Sequence, residues 1–157
     1  MQTTRRELLA MLGAAGVSTL MAEPLGMPVG FQVYPVREAL AKDFAGTLKE
    51  MASIGYNAKL IGSPPGYVSS GFGPLTKMSA AEMKQIIGAA GLRCESCHYV
   101  FKEMKENLDE RIAFAKELGL KQMICSSFGL PKAATLDDWK KAADTLNGIG
   151  EKTKKAG

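Results

Sequence analysis

Gly91-Leu92-Arg93-Cys94-Glu95-Ser96-Cys97-His98 is the stretch on which the fold turns. Its run from Leu92 to His98 fits a short strand, and the glycine before it closes a helix. That helix starts at Ser79, where Glu82 three positions on completes a capping box. Downstream, Asn107 caps a helix that runs to about Leu118. Gly119 follows it, and Lys121 to Ser126 is the next strand. Helix, glycine, strand is therefore the repeating unit.

The unit recurs outward in both directions. Val29 to Val33 and Tyr56 to Ile61 are strand-like runs rich in β-branched and aromatic residues. Between them, Arg37 to Ile54 has helical spacing, with Leu40, Phe44, Leu48, Met51 and Ile54 on one face, and Gly55 closes it. A Gly/Pro/Ser-rich segment from Gly62 to Lys77 reads either as a lid or as a connector with tight turns. Thr135 and Asp138 start the last helix, whose apolar face is Leu136, Trp139, Ala143, Leu146 and Ile149. Gly157 stands where Gly55, Gly91 and Gly119 stand, so a fifth strand is the expected continuation.

Strands alternating with helices of this length imply a parallel sheet with helical crossovers. An open doubly wound sheet usually carries a glycine-rich phosphate loop after its first strand. Here Tyr34-Pro35-Val36-Arg37 follows instead. The expected fold class is α/β of the (β/α)8 TIM-barrel type, with only the first four βα units present over residues 28–157. A whole barrel takes roughly 250 residues. A half barrel exposes two strand edges, an aggregation hazard.

The 157 residues carry a net charge of +4, 46% hydrophobic and 23% charged residues. Acids and lysines are interspersed and form no basic block, so no nucleic-acid partner is expected. Residues 1–22 read as a twin-arginine-type signal peptide. Arg5-Arg6 precede a weakly hydrophobic run that contains Gly13 and Gly16 and ends near Ala22. The expectation is a periplasmic or otherwise exported protein with no membrane association once the signal is removed.

Ser63-Pro64-Pro65-Gly66-Tyr67, Gly71-Phe72-Gly73-Pro74-Leu75, the Gly91–His98 stretch and the run from Asn107 to Gly129 together resemble sugar phosphate isomerases/epimerases of the xylose-isomerase-like superfamily. The resemblance runs from Pro28 to Gly157. It implies a small-molecule sugar or sugar-phosphate substrate and a divalent metal, Mg or Mn, held by carboxylates and a histidine. It also implies acid/base residues that move a proton beside a carbonyl. In the family those ligands come mainly from strands five to eight, so no metal ligand and no catalytic residue is carried over to this half. Asn57-Ala58-Lys59-Leu60 stands where relatives often have a glutamate. The implied function is a fragment of a metal-dependent isomerase/epimerase, inactive without the later strands. The alternatives are a non-catalytic carbohydrate-binding barrel and an apurinic-site endonuclease-like barrel, the latter disfavoured by a single histidine.

Barrel active faces lie at the C-terminal ends of the strands. The substrate-binding candidates are therefore Tyr34, Ser63, Tyr67, His98, Ser126 and Ser127. Simple alternation puts Cys94, Ser96 and His98 on one face of the third strand, and Glu95 and Cys97 on the other. Cys94-x-x-Cys97-His98 also matches the c-type haem attachment pattern. Opposite-facing sulfurs argue against haem, and two cysteines with one histidine cannot close a zinc site by themselves.

Overall fold

In the computed structural model, residues 28–157 are described, apart from the side chains of residues 58–60. The signal expectation at 1–22 lies outside the described residues. Four parallel strands form one sheet in sequence order: β1 (Gly30–Gln32), β2 (Ala58–Gly62), β3 (Arg93–Val100) and β4 (Gln122–Ser127). The helices are α1 (Arg37–Lys42), α2 (Phe44–Ser53), α3 (Ala80–Ala89), α4 (Phe101–Glu106), α5 (Leu108–Leu118) and α6 (Leu136–Ala156).

Sequential strand order leaves no switch point of the kind a doubly wound sheet needs. The crossover helices also pack on their neighbours in turn, α2 on α3, α3 on α5 and α5 on α6. That arrangement belongs to a barrel wall, four βα units of a (β/α)8 barrel. β1 and β4 are its edges.

The core lies between the sheet and the helices. Val33, Ile61, Cys97 and Tyr99 of the strand segments are fully buried, and Leu48, Met83, Ile87 and Leu118 meet them from α2, α3 and α5. Burying one such aliphatic side chain contributes about 1.5–3 kcal/mol. On the other face Gly30, Gln32 and Gln122 are exposed.

Both capping boxes form, at Ser79 with Glu82 and at Thr135 with Asp138. The helix-exit glycines Gly55, Gly91 and Gly119 have φ of 103°, 74° and 85°. A side chain there would be strained, which explains the repeated residue.

Four expectations are corrected. The helix from Arg37 to Ile54 is two helices. Asp43 is extended (φ −146°, ψ 92°) and its side chain accepts a hydrogen bond from the Gly46 amide at 2.8 Å, so it caps α2 and breaks the periodic run. Ile54, expected on the apolar face, is exposed. The Gly62–Lys77 segment, by contrast, has the two tight turns of the connector reading, as the 3-10 segments Pro64–Ser70 and Gly73–Lys77. In α6 the buried residues are Ala142 and Ile149, while Leu136, Trp139 and Ala143 are exposed. That narrow stripe lies on the helix that packs on α4 and α5.

The fourth correction concerns the cysteines. β3 bulges at Glu95: Cys94 pairs with Lys59, and Ser96 with Leu60. The extra residue resets alternation. Cys94 and Cys97 therefore stand opposite Lys59 and Ile61, two positions apart on β2, and share a face. The opposite-face argument against haem falls. A different one replaces it: both cysteines are buried, Cys97 completely, within the layer between sheet and helices.

Candidate active-face site

The C-terminal strand ends are stitched together by a few polar contacts. Gly62 ends β2, and the 3-10 turn after it returns Tyr67 over that glycine. A Cβ at Gly62 would come within 3.3 Å of the Tyr67 ring. The Tyr67 hydroxyl meets Ser126 Oγ at 2.5 Å. Ser126 is itself a bulge residue, since Cys125 pairs with Tyr99 and Ser127 with Val100. Its hydroxyl also contacts the Tyr99 carbonyl, at 3.1 Å. Bulges recur beside active sites because they re-aim a side chain, and this one turns a β4 hydroxyl toward Tyr67. Burial raises the Tyr67 phenol above its ordinary value, partly offset by the Ser126 hydrogen bond.

The remaining candidates are dispersed. His98, paired in register with Gly62 and Ile124, is half-buried. Burial lowers its pKa, which favours the neutral imidazole, able to donate and accept one hydrogen bond. Tyr34 is exposed, lies under the Arg37 guanidinium at 4.6 Å and stacks on Phe72 with ring centroids 6.4 Å apart. Ser127 is exposed at the end of β4. Ser63 turns inward: it is 1% exposed and donates to Glu103 Oε1 at 2.5 Å.

Sequence reasoning missed Glu103 and its partner. Glu103 sits on α4 and is 6% exposed, and Arg111 on α5 is equally buried. Their closest approach is 3.3 Å, and Arg111 also contacts Glu110 at 2.6 Å. Burial raises the Glu103 carboxyl, against the Ser63 hydrogen bond and the Arg111 charge. The available signal was faint: a glutamate between Phe101 and Met104, in a segment with no element assigned to it. Gln32 was also missed. It lies at the exposed end of β1 and accepts from the Tyr34 amide at 2.7 Å.

Hydroxyls, one amide and one imidazole dominate the strand ends. Among the described residues no group of three or more His, Cys, Asp or Glu side chains is placed to hold a metal ion. A hard divalent ion calls for several carboxylate or carbonyl oxygens, so the residues present do not fit one.

Comparison with solved structures gives this wall its relatives. One is a sugar phosphate isomerase/epimerase from Parabacteroides distasonis, 30% identical, with a TM-score of 0.61 over 83% of this chain and 48% of that one. Residues 28–157 resemble half of a sugar phosphate isomerase/epimerase barrel of the xylose-isomerase-like type. A second solved protein of the same description and organism is 24% identical, with a TM-score of 0.63 over 83% of this chain and 51% of that one, and supports the fold alone. The chain thus spans about half the length of the solved relatives it matches. No protein-family model and no curated protein matches it.

Proposed function

We propose that this chain is the substrate-binding half of a sugar or sugar-phosphate isomerase/epimerase. The observation that carries the reading is the 30% identity to a sugar phosphate isomerase/epimerase across 83% of the chain. The polar strand ends agree with it. Isomerisation and epimerisation move a proton beside a carbonyl, and the protein must hold the sugar's hydroxyls while a base takes that proton. Tyr67, His98, Ser126 and Ser127 offer donors and acceptors of that kind. Glu103, the buried carboxylate on α4, is tied to Ser63 and Arg111 inside the protein. The base and the Mg or Mn site are assigned to further βα units. In this reading the four units by themselves turn over no sugar, and Arg5-Arg6 direct export by the twin-arginine route.

A chimera tests the assignment. Residues 28–157 are joined to the remaining half of the 30% identical relative. The chimera should bind Mn and interconvert a sugar or sugar phosphate from a panel, whereas this chain with added Mg or Mn should do neither. His98→Ala in the chimera should raise KM by about tenfold, the loss of one good hydrogen bond, with Mn affinity kept. Metal-dependent turnover by this chain alone refutes the division of labour. Parallel loss of Mn and substrate would make His98 a ligand.

A further inference from the structure

The buried carboxylate of Glu103 touches the start of the loop that carries Tyr67 at two points. Ser63 Oγ donates to its Oε1 at 2.5 Å. Its Oε2 lies where Gly66 leaves room, since a Cβ on Gly66 would be 2.3 Å from that oxygen. Ser63 and Gly66 bracket the turn through Pro64 and Pro65, and the Gly66 amide donates to the Ser63 carbonyl at 3.0 Å. The next residue, Tyr67, reaches Ser126 across the strand ends. Behind Glu103, Arg111 anchors the carboxylate to α5 at 3.3 Å. A contiguous path thus runs from α5 through α4 and the β2 turn to the open end of β4.

We propose that Glu103 is a positioning residue, fixing the Ser63–Gly66 turn from inside the protein so that Tyr67 is held over the strand ends beside Ser126. That this place is where a sugar binds rests on the functional reading above; the positioning itself does not. Two features separate this role from plain packing. An apolar side chain at 103 would fill the space but leave the Ser63 hydroxyl, which is 1% exposed, without its acceptor. A Cβ at Gly66 would press on Oε2, so an alanine there has to push the carboxylate out of its place between the turn and Arg111.

The test reads Tyr67 in the ligand-free full chain. Its ionisation is followed by ultraviolet difference absorbance at alkaline pH, with Tyr67→Phe identifying its share among four tyrosines. Ser63→Ala removes one contact and leaves Arg111 paired; Gly66→Ala displaces the other. Each variant should release Tyr67 from burial, and its titration midpoint should fall toward the free-tyrosine value near 10, since burial is what raises it. A purely structural Glu103 predicts a lower melting temperature with an unmoved Tyr67 midpoint, and that result in both variants overturns the proposal. A variant that does not fold is replaced by hydrogen exchange on the unmodified chain. There the Gly66 and Phe72 amides, which hold the turn and the Tyr67 carbonyl, should be protected as strongly as those of β3. Exchange as fast as an exposed loop would equally overturn it. Sugar binding enters none of these measurements, so the functional reading and the positioning role fail separately.

Discussion

Replacing Arg111 with methionine removes a guanidinium that is 7% exposed from beside a carboxylate that is 6% exposed. Breaking a buried ion pair from one side typically costs about 3–5 kcal/mol, because the other charge is stranded. Glu103 can escape by taking up a proton. From an unfolded pKa of about 4.3, and at 1.36 kcal/mol per pH unit, that escape costs about 3.7 kcal/mol at pH 7 and about 1 kcal/mol at pH 5. Burial already raises the carboxyl, and Arg111 is one of the groups holding it down. Without Arg111 the folded-state pKa rises further, so the folded state binds the proton more tightly than the unfolded state does. Stability is then greatest below the unfolded pKa and is lost as pH rises toward the folded one. Arg111→Met should therefore cost about 3–4 kcal/mol at pH 7 and about 1 kcal/mol at pH 5. In thermal melts followed by circular dichroism this is a drop on the order of 10 °C against one of about 3 °C. The double variant Glu103→Leu with Arg111→Met should recover part of the loss at pH 7, since apolar replacements of buried pairs are often neutral, the remainder being the Ser63 hydroxyl left without its acceptor. An equal loss at both pH values, or no recovery in the double variant, would refute the stranded-carboxylate argument.

Three further outcomes are expected. Expressed with a haem-attachment system, the chain should show no covalent haem on a denaturing gel, because Cys94 and Cys97 are buried on the helix side of β3. Gly119→Ala, at φ 85°, should destabilise the chain by about 1–2 kcal/mol in urea titrations, since the cost is backbone strain at a left-handed exit. Arg5→Lys with Arg6→Lys should leave the protein in the cytoplasm on fractionation, and unchanged delivery to the periplasm would end the twin-arginine reading.

Much of the site was visible as residue type and little of it as contact. The rule that barrel sites sit at C-terminal strand ends picks out Tyr67 and Ser126, which the fold brings to 2.5 Å although 59 positions separate them. The same rule picks out Ser63, yet that side chain turns inward. Directly after β2 it continues the face of Ile61, which is covered by helices, and a one-residue difference in position selects the other face. Glu103 was overlooked because a short helix follows β3 directly. Six residues, Phe101–Glu106, are too few to establish a helical period.

Local chemistry alone determined the capping boxes at Ser79 and Thr135, the left-handed glycines at the helix exits, and the sequence of βα units. Each depends on residues a few positions apart, and the units together imply a parallel sheet. Tertiary structure decided what no local window contains. The bulge at Glu95 placed Cys94 and Cys97 on one face, and the bulge at Ser126 aimed its hydroxyl at Tyr67. The Glu103–Arg111 pair formed across two helices. Strand register is set by pairing with another strand, and the buried face by whichever layer covers it. Both are properties of the assembled wall, so the single strand's alternation could not report them.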